Sequence, residues 1–133
     1  MLPHMLSLGV QILADLYGCD ATLLNDPEVI ERVLMKAAVL CGATIVNRCF
    51  HRFSPHGVSG VVVIAESHLA IHTWPEHRYA ALDLFTCGET LRTDDCFRYL
   101  LEVLGAERHT LQKIPRGTIP IAATHSPSPE PLP

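Results

Sequence analysis

The chain has 133 residues, 48% hydrophobic and 18% charged, with a net charge of −4. That length and composition describe one compact soluble domain and exclude a chain disordered over most of its length. A mildly acidic sequence without a Lys/Arg cluster lacks the footprint of nucleic-acid binding, and no apolar run approaches the roughly 18 residues of a membrane span, so neither nucleic acid nor membrane is an expected partner.

No basic region precedes the apolar residues of Met1–Val10, which points to the cytoplasm. From Leu8 to Tyr17, Val10, Ile12, Ala14 and Leu16 alternate with their neighbours, which predicts a strand. Residues 18–26 read as a loop. Asn25-Asp26-Pro27 then offers a capping side chain and a Pro at the first helical position. Val29, Ile30, Val33, Leu34, Ala37, Ala38 and Cys41 follow at helical spacing up to Gly42. Residues 43–53 and 57–65 are β-rich, the second around Val61-Val62-Val63-Ile64, and His68–Trp74 and Tyr79–Thr86 are two more strands separated by Pro75. Thr93 or Asp94 caps a second helix through Leu104, with Phe97, Leu100, Leu101 and Leu104 on one face. A last strand spans Glu107–Ile114. The expected class is α+β, a two-layer sandwich of an antiparallel or mixed sheet with helices on one face. Residues 1–114 form one domain, and the Pro-rich tail 115–133 is expected to be loose, because Pro neither donates to a ladder nor continues a helix.

The five cysteines, Cys19, Cys41, Cys49, Cys87 and Cys96, are odd in number and contain no C-x-x-C pair, so free thiols in a reducing compartment are expected. One region mixes chemistry into apolar strands: Ser59-Gly60, then Glu66-Ser67-His68-Leu69-Ala70-Ile71-His72-Thr73-Trp74-Pro75-Glu76, then Phe85-Thr86-Cys87-Gly88. Each polar group buried in a sheet costs about 1 to 3 kcal/mol unless paired, so their accumulation suggests a site. Taken singly, each residue has an ordinary reading: Ser67 in a turn, Cys87 as a small hydrophobe, Glu76 on a solvated turn, Trp74 in the core. His68 and His72 have the four-residue spacing of metal ligands on a helix. On a strand they stand roughly 13 Å apart, and no metal is expected.

Taken in order, the segment from Val58 to Glu76 resembles the cleavage segment of the prokaryotic S-adenosylmethionine decarboxylase proenzyme family, which depends on a pyruvoyl group. The resemblance extends to Ala81-Leu82-Asp83-Leu84-Phe85-Thr86-Cys87-Gly88, Gly42-Ala43-Thr44-Ile45 and His51-Arg52-Phe53. It implies self-cleavage between Glu66 and Ser67 into a β chain, residues 1–66, and an α chain, residues 67–133. An N-to-O acyl shift onto the Ser67 hydroxyl, then elimination and loss of ammonia, leave a pyruvoyl cofactor in place of Ser67. The family pattern gives Ser59 a hydrogen bond to the processing intermediate and His72 the role of base. It gives Cys87 the return of a proton to the substrate α-carbon, Phe53 the adenine and Glu76 the ribose hydroxyls. The resemblance further implies a Schiff base between the pyruvoyl carbonyl and S-adenosylmethionine, release of carbon dioxide, and a product that donates aminopropyl groups for spermidine synthesis. It also implies a homodimer of cleaved protomers stacked in four layers. Two departures stand out: Gly9-Val10-Gln11-Ile12 where relatives are more basic, and Glu76-His77-Arg78-Tyr79 in place of a Gly-containing turn. The competing readings are a pyruvoyl decarboxylase acting on another amino acid such as arginine, and an uncleaved regulatory homologue.

Overall fold

The computed structural model describes residues 5–87 and 90–120. In chain order it contains β1 (Met5–Tyr17), α1 (Ala21–Leu24), α2 (Pro27–Leu40), β2 (Ile45–Arg52), β3 (Val58–Ile64) and β4 (Ser67–Trp74). A 3-10 turn (Pro75–His77), β5 (Tyr79–Thr86), α3 (Thr93–Val103) and β6 (Arg108–Pro120) complete it. The strands make one sheet in the order β2-β3-β4-β5-β1-β6, antiparallel at every pairing, so the mixed alternative falls away. Because side chains alternate along a strand, the sheet has two unlike faces. Ile12, Ala14 and Leu16 of β1, Val58 and Val62 of β3, Leu69 and Ile71 of β4, and Leu82 and Leu84 of β5 are buried in one core with Ile30, Leu34, Phe97 and Leu100 of the helices. Each fully buried Leu contributes about 1.5–3 kcal/mol relative to leaving it in water. The opposite face carries Ser59, His68, His72, Trp74, Tyr79, Asp83 and Phe85, all partly or largely exposed.

The start of α2 follows its sequence: Asp26 accepts from the N–H groups of Glu28 and Val29 at 3.0 and 3.3 Å, with Pro27 in the first turn. Asn25 turns away instead, its Oδ1 accepting from Gly57 N at 3.0 Å and tying the β2–β3 loop to the helix. Neither Thr93 nor Asp94 caps α3. Arg92 occupies the cap without a side-chain bond, its N–H donating to Cys41 O at 2.8 Å, which docks the helix entry on the end of α2. Residues 21–24, read as loop, form the short α1 because Asp20 Oδ1 accepts from Thr22 N and Leu23 N. Arg78 takes the left-handed φ of 52° that a glycine would otherwise supply, held by its guanidinium donating to Cys19 O and Gly18 O.

The strand expected to stop at Ile114 continues to Pro120, so the tail does not begin at 115: Pro115 pairs with Val10 and Pro120 with Met5. Because β6 is an edge strand, whichever of the two prolines has its missing N–H facing outward leaves the ladder intact, and the other, five residues away and so on the opposite side, costs at most one ladder bond. Residues 121–133 of that tail, and Gly88, lie outside the described residues. Among the described residues, no helix is long and apolar enough to cross a membrane.

Thr73 is one of two buried threonines among the described residues, and it is fully used: its hydroxyl donates to Leu24 O and accepts from Val58 N, both at 2.8 Å, joining α1, β3 and β4. Replacing it with Val strands a buried donor and a buried acceptor. Thr73→Val is expected to cost about 2 kcal/mol, read as a lower denaturant midpoint at unchanged slope.

Candidate active site

Strands β3 and β4 pair Ile64 with Ser67, so only Ala65 and Glu66 form the connecting turn. Two-residue connections normally place Gly, Asn or Asp where φ must be positive. Neither Ala65 nor Glu66 has a positive φ; the excursion falls on Ser67, at 153°. A residue with a Cβ is held in such a region at a cost of order 1–3 kcal/mol, and only where its surroundings over-determine it. They do so here. Ala65 N donates to Thr44 O at 2.8 Å, and Glu66 Oε1 accepts from Thr44 N at 3.0 Å. The main-chain carbonyl of Glu66 accepts from Cys87 N at 3.0 Å. The carbonyl preceding the serine is therefore polarised by a fixed amide, beside the serine's own hydroxyl.

Across the next seam Ser67 pairs with Thr86, the other buried threonine, 5% exposed. Its Oγ1 has no hydrogen-bond partner among the described residues. Cys87 follows with an exposed, free thiol. His68, beside Ser67, stacks on Phe85 with ring centroids 5.9 Å apart and sets Nε2 3.6 Å from Asp83 Oδ2. Gln11 Nε2 donates to both Asp83 oxygens at 3.0 and 3.1 Å. On the same face, Tyr79 donates to Asp15, and burial, reinforced by that carboxylate, pushes its phenol up to about 12.

The remaining site residues gather at the other end of β4. Ser59 and His72 are cross-strand partners, with Ser59 Oγ and His72 Nδ1 2.7 Å apart. When His72 carries its proton on Nε2, the hydroxyl donates to Nδ1. Gly60, next to Ser59, has to be glycine: a Cβ there would stand 2.0 Å from Cδ1 of Phe50. A cavity of about 330 Å³ is lined by Phe53, His56, Ser59, His72, Trp74 and Glu76. Phe53 is 48% exposed and meets His51 edge-on at 4.7 Å, while Glu76 pairs with His56.

Phe53, Ser59, His72 and Glu76 thus share one cavity, and Glu66, Ser67 and Cys87 share one turn. From Ser67 to His72 is five residues of strand, about 16 Å. Within one chain, Ser59 and His72 do not reach the Glu66–Ser67 bond. The sequence alone offers no means to find the amide of Cys87 or the buried hydroxyl of Thr86, because neither has a residue-type signature. His68 and Asp83 were legible as polar residues in alternating strands, though not as neighbours. Among the described residues no three of His, Cys, Asp and Glu are grouped as metal ligands would be.

Comparison with known proteins places this geometry in a context. The model of the family described as S-adenosylmethionine decarboxylase matches residues 10–117. The S-adenosylmethionine decarboxylase proenzyme of Moorella thermoacetica is 54% identical over 115 residues, covering 86% of this chain and 92% of that protein. The proenzyme of the same name from Acetivibrio thermocellus is 52% identical, covering 85% and 91%. The crystal structure of the adenosylmethionine decarboxylase from Aquifex aeolicus superposes with a TM-score of 0.79 at 38% identity, over 92% of this chain and 98% of that one. The Trypanosoma brucei AdoMetDC-delta26 monomer, at 16% identity and a TM-score of 0.58, shares the fold.

The backbone of Ser67 can be probed without its hydroxyl. Ser67→Ala keeps the Cβ at positive φ and Ser67→Gly removes it, and neither retains a nucleophile. The Gly variant is expected to be the more stable of the two by about 1 kcal/mol in denaturant unfolding.

Proposed function

The chain belongs to the S-adenosylmethionine decarboxylase family, and on that premise we propose that it cuts itself between Glu66 and Ser67 and decarboxylates S-adenosylmethionine. The observation that carries the reading is the Cys87 N–H on the Glu66 carbonyl, next to Ser67 at a φ of 153°. The Ser67 hydroxyl oxygen adds to the Glu66 carbonyl carbon, and negative charge grows on an oxygen that already faces an amide donor. A preorganised donor of that kind is worth about 10²- to 10³-fold in rate. Collapse toward the ester also releases the backbone strain at Ser67. Loss of the Ser67 α-proton then expels the acyl group as the Glu66 carboxylate.

These residues fit a pyruvoyl group: the serine that would become it starts a strand, its scissile carbonyl is held, and a thiol lies one residue past its cross-strand partner Thr86. That group supplies an electron sink for the departing carbon dioxide. The exposed Cys87 thiol is placed to hand a proton to the substrate α-carbon. Phe53 offers an aromatic face to adenine, and its attraction extends to a nearby sulfonium. Glu76 accepts from the ribose hydroxyls once it leaves His56. The presence of both in one cavity favours a nucleoside substrate over arginine, which has no ring to stack. Intact Ser67, His72 and Cys87 favour an enzyme over an uncleaved regulatory homologue.

The two halves of the site lie about 16 Å apart on one strand, so we assign completion of the site to a second copy. Two open sheet faces packed about a two-fold axis reverse β4 end for end. Ser59, His72, Phe53 and Glu76 of one protomer then meet Ser67 of its partner, and the assembly has four layers. Val63, Trp74 and Ile114, each about 40% exposed on that face, lose water in the process. The five free thiols suit the cytoplasm.

Denaturing mass spectrometry is expected to show two chains, residues 1–66 and 67–133, the second beginning with the modified terminus, and one uncut chain for Ser67→Ala. Cys87→Ala is expected to cut yet turn over roughly 10²-fold more slowly, measured as carbon dioxide released. Ser67→Ala and His72→Ala, each inactive alone, are expected to regain activity when co-expressed. Absence of that rescue would show that each chain completes its own site.

A further inference from the structure

Resting on the self-cleavage reading, we propose that Thr86 is a positioning residue for the first step, its hydroxyl accepting from the Ser67 hydroxyl and turning that oxygen onto the Glu66 carbonyl carbon. A buried hydroxyl without a partner is unfavourable, and an orphan in a native fold calls for a reason. Valine has the same shape and would remove the penalty. The comparison inside this sheet is direct: Thr73, equally buried on the same face of the neighbouring strand, uses its hydroxyl twice, whereas that of Thr86 meets no partner among the described residues. Of the two cross-strand partners of Thr86, Val10 is apolar and Ser67 carries a hydroxyl. Thr and Ser opposite each other on antiparallel strands are a natural hydrogen-bonding pair.

Consecutive residues of one strand end thereby address the two reacting groups. The amide of Cys87 fixes the Glu66 oxygen at 3.0 Å, and the hydroxyl of Thr86 directs the incoming nucleophile. In the step itself the bond from Ser67 Oγ to the Glu66 carbonyl carbon forms, and the bond from that carbon to Ser67 N breaks. The hydroxyl proton ends on the freed amine. Nothing is oxidised or reduced, and no co-reactant is consumed.

The test follows the full-length chain after cell-free synthesis, with the cut fraction read over time on denaturing gels, with and without hydroxylamine, which cleaves the ester. Thr86→Val is expected to cut at least about tenfold more slowly than the parent, with no hydroxylamine-sensitive ester accumulating and an unfolding temperature no lower than that of Ser67→Ala. Thr86→Ser is expected to stay within about threefold of the parent. Cutting of Thr86→Val at the parental rate overturns the proposal, as does an accumulating ester, which would place Thr86 after the first step. A Thr86→Ser as slow as Thr86→Val, with lowered unfolding temperatures in both, assigns the residue to packing and also overturns it. If the parent itself never cuts, the self-cleavage reading fails as well; a parent that cuts alongside an unimpaired Thr86→Val leaves that reading standing.

Discussion

The antiparallel register of β3, β4 and β5 is the constraint on which the molecule depends. It sets Ser59 opposite His72, Ile64 opposite Ser67 and Ser67 opposite Thr86. Because a strand repeats every two residues, a slip of one position would carry Leu69, Ile71 and Thr73 out of the core and His68 and His72 into it. The core under α2 and α3 therefore fixes the chemistry on the other face. Leu69 and Ile71, at 1% and 0% exposure, specify where the histidines stand as firmly as the histidines' own contacts do.

The same register concentrates strain. A two-residue connection without glycine cannot match the strand twist in its own backbone, and the mismatch appears one residue on, at Ser67. Thr44 and Cys87 hold the turn from opposite sides, so relaxation by moving the turn is blocked. On the proposed self-cleavage, what remains is to change the bond itself. Main-chain geometry and nucleophile placement thus share a common origin.

Strand periods, the Asp26-Pro27 start of α2 and the apolar face of α3 were legible in the sequence because each is a local pattern. The cap of α3 was not, since Arg92 works through a main-chain bond to Cys41 that only the folded pair of helices creates. Nor was the length of β6, where two prolines argued for an end and an edge position allowed continuation. Ser67, His72, Cys87, Phe53 and Glu76 were recognisable through a family resemblance. Their division between two ends of β4 was visible in neither composition nor motif, although counting five residues at strand rise would have revealed it. The roles proposed for the Cys87 amide and the Thr86 hydroxyl depend on atoms whose surroundings exist only after folding.

The order of strands carries one more consequence. A break in the turn between β3 and β4 gives a first piece owning β1, β2 and β3 and a second owning β4, β5 and β6. Yet β1 lies between β5 and β6. The first piece is threaded through the second, gripped along both edges of its longest strand, and the fragments cannot drift apart as two bodies. Separating them means tearing the sheet along three seams at once, so a chain cut at that turn is expected to melt as a single cooperative entity.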